Sequence, residues 1–327
     1  MALRKKNVIS GNIGSLSTYH QLETAEAKVV FHWCVQQGLI ASGYECPKCK
    51  QQMVLSRRSD IFDGFNWVCR VRGQNGHHIK RSIRAGSWFE RSHLPIPTIL
   101  KFLIYWCVNM KIKFILEQLN ITSKTATDWA SFCREVCQDI LIWRSGKIGG
   151  PGIVVEIDES KFGKRKYNRG KRVIGRWVFG GVERGTNNCF FAVVENRTSE
   201  GLLSVIEEHI LPGTTVMSDC WSSYQCLSDE GFVHLTVNHS MHFVYPDTGA
   251  HTQSIEGTWS AIKRGLNGTN HVKGQFDSYM AAYMWKRKNT TAESRMESLL
   301  DMIKEVYPPR SKDKRKLKKK KKGNKLN

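Results

Sequence analysis

The chain has 327 residues, 40% of them hydrophobic and 10% aromatic, which is material for two or more folded domains and excludes a mainly disordered polymer. Its formal charge of +21 is not only a tail effect: residues 312–327 hold ten Lys or Arg against one Asp, and a net +12 is left for the rest. A basic body calls for nucleic acid or an anionic membrane surface as partner, and the longest apolar run, Phe102 to Val108, is far too short to span a bilayer.

The opening residues, MALRKKNVISGNIG, have no apolar segment of the kind a secretory signal needs. Ten cysteines without such a signal are expected as reduced thiols, some of them on a metal, in an intracellular protein. Residues 1–43 read as a polar start followed by one helix, Leu22 to Gln37, with Val29, Val30, Trp33 and Cys34 near one face and Gly38 as its stop.

Residues 44–93 read as a zinc-ribbon-like module. The turn Cys46-Pro-Lys-Cys49 is followed by Cys69 and then by His77 and His78, among short strand-like pieces such as Phe65 to Val71. Two pairs of soft ligands at that separation suit tetrahedral Zn²⁺. Cys69 has no second Cys nearby, so His77 is the expected fourth ligand and His78 the alternative. The plainer possibility is a set of buried thiols beside a surface histidine pair.

Residues 94–148 read as helical. Pro95 and Pro97 mark the entry, Ile99 to Met110 is strongly apolar, and Ile115 to Leu119, the turn Asn120 to Ser123, and Thr125 to Cys137 have helix-turn-helix lengths. Ser123 is the expected cap of the second helix, whose start would offer Lys124 and Thr125 to DNA. Two packed helices of a linker would have the same pattern.

From residue 149 to 292 the pattern changes to strands and helices in the order of a ribonuclease-H-like α/β domain. Ile153 to Ile157 is a β-branched strand after Gly149, Gly150 and Pro151, and Arg176 to Val182 and Cys189 to Glu195 follow as a hairpin. Then come a helix (Ser199 to His209), a strand (Thr215 to Ser218), a short helix (Trp221 to Leu227), a strand (Val233 to Val237) and two helices (Ser254 to Leu266, Phe276 to Lys288). This order puts Asp158 on the first strand, Asp219 at the end of the fourth and Glu256 on a helix that can cross their shared edge.

Three such acids suit a pair of Mg²⁺ (or Mn²⁺) ions about 3.5–4 Å apart, which is how phosphodiester chemistry is run near neutral pH. Asp158 would bridge the ions, with Asp219 and Glu256 on one each. Lys161, Lys164, Arg165, Lys166 and Arg169 form a basic loop beside Asp158, and Lys263 and Arg264 follow Glu256, so DNA phosphates have partners on both sides. Glu156 and Glu159 are the nearest decoys, Glu159 leaving the strand opposite Asp158 if the pleat continues. Trp221 and Tyr224 read either as base-stacking rings or as core.

Three blocks carry a resemblance. They are Glu156-Ile-Asp158-Glu-Ser-Lys161-Phe-Gly163-Lys164-Arg165-Lys166, Ser218-Asp219-Cys-Trp221-Ser-Ser-Tyr224 and His251-Thr-Gln-Ser-Ile-Glu256-Gly-Thr-Trp259-Ser-Ala-Ile-Lys263, with 36 residues between Asp219 and Glu256. They resemble the catalytic blocks of Merlin-type DDE transposases and their bacterial insertion-sequence relatives, and the likeness extends over roughly residues 40–290. The resemblance implies a cut-and-paste enzyme that binds double-stranded DNA at terminal inverted repeats, cleaves there, joins the 3′ hydroxyls to target DNA, and works as a homodimer or larger assembly. Relatives usually supply a second Cys soon after the third, where this chain has only His77 and His78. Residues 293–327 read as a C-terminal helix and a basic tail that suits nuclear import or a DNA tether, so the nucleus is the expected compartment. The rival reading is a domesticated, transposase-derived DNA-binding protein without cleavage, and a third is a nuclease without strand transfer.

Overall fold

In the computed structural model, residues 9–144, 146–163, 175–219, 222–237, 251–266 and 276–312 are described, and the chain divides into two units, Met1–Val136 with Thr290–Asn327 and Cys137–Asn289. The first holds α1 (Leu16–Thr24), α2 (Ala27–Gln36), β1 (Val54–Arg57), β2 (Phe65–Val71), β3 (His77–Ser82), α3 (Ile96–Cys107), α4 (Ile112–Leu119), the start of α5 (Ser123–Arg144) and α9 (Ala292–Val306). The single helix expected from Leu22 to Gln37 is instead a pair, broken where Ala25 and Glu26 are extended. Tyr19 and Leu22 form one buried stripe and Val30, Phe31, Trp33 and Cys34 another, so the break lets both turn inward and tertiary packing overrides helical continuity.

α3 is the centre of this unit. It is buried nearly all round, and α1, α4 and α9 pack on it. Pro95 and Pro97 flank its first residue, where a missing N–H does no harm. Arg295 of α9 donates to the carbonyl of Cys107 at 2.9 Å, so the C-terminal helix folds with the N-terminal residues. Asn120 closes α4 in the left-handed conformation, φ 48°. The cap of α5 is Thr122 and not the expected Ser123: its hydroxyl accepts the Thr125 N–H at 3.2 Å and its carbonyl the Ala126 N–H at 3.0 Å. Ser123 already lies inside the helix.

The second unit contains β4 (Ile148–Gly149), β5 (Val154–Phe162), β6 (Arg176–Glu183), β7 (Cys189–Val194), α6 (Ser199–His209), β8 (Ile210–Leu211), β9 (Thr215–Asp219), a 3₁₀ helix (Ser222–Ser228), β10 (Val233–Val237), α7 (Gln253–Gly265) and α8 (Phe276–Lys288). Its main sheet has the order β10-β9-β5-β6-β7, with β5, β6 and β7 antiparallel and β9 and β10 parallel to β5. This is the ribonuclease-H-like mixed sheet expected from the element order. Period-two alternation divides its side chains between two cores. Val155, Ile157, Phe179 and Val216 pack with Leu202 and Ile206 of α6 and with Tyr224. Phe162, Val178 and Val182 pack with Ile255, Trp259 and Ile262 of α7 and with Met280 of α8.

The central strand is longer than its apolar run. β6 pairs with it residue for residue from Val155↔Glu183 to Phe162↔Arg176, so β5 continues well past Asp158. The parallel ladder to β9 ends earlier, at Glu156↔Met217. Asp158 therefore lies where β5 loses its parallel neighbour, not where the strand leaves the core, and such an opening at the carboxyl ends of parallel strands is where α/β sheets accommodate ligands.

Candidate functional site

Register brings the first two acids together. Glu156 and Met217 are partners on parallel strands, so Asp158 and Asp219, each two residues further on, project from the same face of the sheet. That face is the one covered by α7: the Trp259 indole N–H donates to Asp158 Oδ2 at 3.0 Å. Gly180, the β6 partner of Asp158, leaves room for this contact, since a Cβ there would lie 2.8 Å from the Trp259 ring. Burial raises the Asp158 carboxyl to about 6, Asp219 and Glu256 push the same way, and the Glu159 N–H and the Trp259 indole oppose them. Asp219 and Glu256 thus both lie close enough to act on Asp158.

Glu256 is exposed in the first turn of α7, and the buried Thr252 hydroxyl donates to its Oε1 at 3.0 Å. Glu156, only a decoy by its place in the sequence, is fully buried and among the described residues accepts four hydrogen bonds, three of them from the start of α7. The signal for it was its parity with Asp158, which put a charged group on a face that also had to be covered by a helix.

Glu159 does leave β5 on the opposite face. It accepts from the Tyr224 hydroxyl, and burial raises its carboxyl to about 7, that bond notwithstanding. Tyr224 is only 1% exposed and belongs to the core, so it is no platform for a base. Its proton is held firmly, because burial and the neighbouring Glu159 both raise its pKa.

Of the basic groups, Lys161 lies half-buried with its ammonium 5.3 Å from the centre of the Trp177 ring, which also stacks with the Arg197 guanidinium at 3.8 Å. Lys263 and Arg264 are exposed on α7, with the Lys263 ammonium 5.6 Å from the Phe162 ring centre. In the other unit, exposed Lys124 pairs with Asp128 at 2.9 Å, and Thr125 is tied to Thr122 through both backbone and hydroxyl. Lys164, Arg165, Lys166 and Arg169 lie outside the described residues, as do Trp221 and the basic tail beyond Lys312.

Cys46, Cys49, Cys69 and His77 have ligand atoms all within 4.8 Å of one another and form a group that could hold a metal ion. The His77 Nε2 lies 3.4 Å from the sulfurs of Cys46 and of Cys69, and the Cys49 and Cys69 sulfurs are 3.5 Å apart. Those edges approach the roughly 3.5–3.8 Å of a tetrahedron with ordinary zinc–sulfur and zinc–nitrogen bonds. Strand register chooses between the histidines: Cys69 pairs with Ile79, and His77 shares the parity of Ile79 whereas His78 does not. The Nδ1 of His77 lies 3.0 Å from the Asn75 carbonyl, which turns Nε2 toward the sulfurs. Burial works to raise the Cys46 thiol, but the N–H groups of Cys49 and Lys48 together with hydrogen bonds from the Cys49 and Cys69 thiols outweigh it and bring it down to about 6. Burial and the other two thiols push Cys69 up to about 12, as expected for sulfurs that cannot all ionise without a cation among them.

Comparison with known proteins assigns the second unit. The profile of the ISXO2-like transposase domain matches residues 148–288, a span that includes Asp158, Asp219 and Glu256. An uncharacterized transposase-like protein of Haemophilus influenzae is 30% identical over 116 residues, which are 35% of this chain and 93% of that protein. The male abnormal protein mab-31 of Caenorhabditis elegans is 28% identical over 127 residues, covering 36% of this chain and 29% of that protein. Among solved structures, the simian T-cell lymphotropic virus intasome in complex with PP2A regulatory subunit B56 gamma overlaps at a TM-score of 0.28, with 16% identity over 43% of this chain and 51% of that one. The HTLV-2 integrase catalytic core domain in complex with magnesium overlaps at 0.25, with 13% identity over 41% of this chain and 84% of that one. The fold assignment rests on the strand order and not on those overlaps. With a family profile spanning the whole central sheet and a relative matched over nearly its full length, the chain belongs to the ISXO2-like family of insertion-sequence transposases.

Proposed function

We propose that the chain is a DDE transposase of the Merlin type, which cuts double-stranded DNA at terminal inverted repeats and joins the freed ends to a target. The observation that carries the reading is the register that sets Asp158 and Asp219 side by side beneath the helix presenting Glu256. The donor set fits a hard divalent cation: three carboxylates lie on neighbouring elements, and Asp158 is protonated more readily than an ordinary aspartate because it is buried and, to a smaller extent, because Asp219 and Glu256 repel its charge. Asp158, Asp219 and Glu256 would hold Mg²⁺ or Mn²⁺, which when bound supplies a nucleophilic oxygen near neutral pH and stabilises charge on the attacking and leaving oxygens.

The remaining residues position substrate and ligands. Trp259 fixes Asp158, Thr252 fixes Glu256, and Lys161, Lys263 and Arg264 meet DNA phosphates. Hydrolysis adds water across the phosphodiester at the element end and leaves a 3′ hydroxyl. Transesterification then lets that hydroxyl attack a target phosphorus, forming one P–O bond as another breaks. Cys46, Cys49, Cys69 and His77 would hold a structural Zn²⁺, while α4 and α5 act as a helix-turn-helix with Lys124 and Thr125 toward DNA. The enzyme works as a homodimer or larger assembly, and the Lys-rich tail directs it to the nucleus.

Purified chain incubated with Mg²⁺ and DNA carrying the element's ends tests the proposal. Joined products are expected; cuts without joining would reduce it to a nuclease, and binding without cutting would leave a DNA-binding protein that has lost its chemistry.

A further inference from the structure

α7 starts without a cap of its own. Thr252 stands at the N-cap position with φ −123° and ψ 23°, and its side chain makes no capping hydrogen bond. Its hydroxyl instead donates to Glu256. The donors at the helix start are met from elsewhere in the chain: Glu156 Oε2 accepts the N–H groups of Ser254 at 2.8 Å and Ile255 at 3.0 Å, and Oε1 accepts the Ser254 hydroxyl at 2.9 Å. The fourth donor is Arg184 Nε at 2.6 Å, and Arg184 also donates to the His251 carbonyl at 2.7 Å, which ties down the residue before the N-cap. A carboxylate at a helix N-terminus is favoured by the helix dipole as well as by these bonds.

We infer that Glu156 is the positioning residue for Glu256, a cap supplied from the central strand that sets where the helix presents its acid. The inference rests on the catalytic reading of Glu256 given above. An ordinary buried ion pair would need only Arg184, whereas three of the four hydrogen bonds to Glu156 among the described residues come from the first turn of α7, and the His251 ring nitrogen lies 3.4 Å from its Oε1. At the same helix start, the Thr252 hydroxyl donates to Glu256. Glu156 and Asp158 lie two residues apart on one face of β5, so a single strand sets both the acid it carries and the helix opposite.

Two readouts on the full-length chain test this. In metal-free protein, Glu156→Gln is expected to speed amide exchange at Ser254 and Ile255 at least ten-fold while Val155 and Ile157 stay protected. In Mn²⁺ titrations followed by electron paramagnetic resonance, E156Q is expected to weaken by about ten-fold the class of site that Glu256→Ala removes, the range typical of residues that orient metal ligands. The double variant should bind Mn²⁺ no worse than E256A. Unchanged exchange at the two amides, unchanged Mn²⁺ affinity, or additive losses would each overturn the inference. Should E156Q fail to fold, Ser254→Ala, which deletes only one of the four bonds, carries the same test with an expected three-fold effect. If wild-type Mn²⁺ binding is insensitive to E256A, the catalytic reading falls, and the exchange data alone then decide whether Glu156 holds α7.

Discussion

Cys46, Cys49, Cys69 and His77 gather every ligand atom within 4.8 Å, and among the described residues they alone make so close a set. Asp158, Asp219 and Glu256 are held further apart, with burial raising the Asp158 carboxyl to about 6 and the other two acids adding to the rise. The difference follows from what each group can tolerate. Three thiols and an imidazole carry little net charge before a cation arrives, because Cys69 is pushed up to about 12 even as Cys46 is brought down to about 6, so they can pack closely in the tetrahedral arrangement a structural metal takes. Carboxylates at neutral pH repel, and a site for two ions about 3.5–4 Å apart needs them spread around open space. The acids therefore depend on a scaffold of sheet register, Trp259 and α7, while the sulfurs need little beyond a turn and a hairpin.

The largest expected effect lies on the acidic side of this comparison. Asp219→Ala should lower Mg²⁺-dependent cleavage of end-bearing DNA by at least about a thousand-fold, on the scale of losing an essential metal ligand, with DNA affinity nearly unchanged. Residual cleavage near the wild-type rate, measured on denaturing gels, would remove Asp219 from the site.

On the sulfur side, Cys49→Ser or strong chelation should destabilise the first unit by several kcal/mol, since structural metal binding is folding free energy. Loss of bound zinc by mass spectrometry should accompany a fall in the denaturation midpoint. A variant that keeps its midpoint would mean that the cage is not a staple.

The third prediction uses the sign of the Asp158 shift. A carboxyl raised in the folded state disfavours folding once ionised, so its penalty is absent below the unfolded value of 3.8 and fully present above about 6. Asp158→Asn should thus stabilise metal-free protein at pH 7.5 by about 3 kcal/mol and have no such effect below pH 4. Mg²⁺ should raise the melting temperature of the wild type but not of the variant. Equal melting temperatures at pH 7.5 would show that burial and the neighbouring acids do not penalise the Asp158 carboxylate.

Smaller still, Lys263→Ala should reduce the log–log salt slope of DNA binding by about one, the signature of a single lost phosphate contact. The finest discrimination is between the histidines: His77→Ala should release zinc, while His78→Ala should keep it and shift stability by less than about 0.5 kcal/mol. Zinc loss from the second variant would reverse the register argument.

Much of this was legible beforehand. The strands Phe65–Val71 and Val233–Val237 and the helices Ser199–His209 and Phe276–Lys288 have the bounds their residue patterns predict, because each is bracketed by turn formers or polar residues. Elements whose ends depend on distant partners were misjudged. β5 is carried beyond its β-branched run by pairing with β6, and α1 and α2 separate because each must bury a different face.

Residue types and order along the chain thus determined the element sequence and singled out three acids and a set of soft ligands as candidates, since these depend on local period and on the chemistry of single side chains. Tertiary structure alone decided that His77 and not His78 faces the sulfurs, that Tyr224 is core, that Gly180 makes room for Trp259, and that Glu156 holds the helix of Glu256. Each of those depends on strand register or on contacts between residues far apart along the chain. A shift of one residue would reverse every side chain on a strand while leaving the amino-acid pattern unchanged.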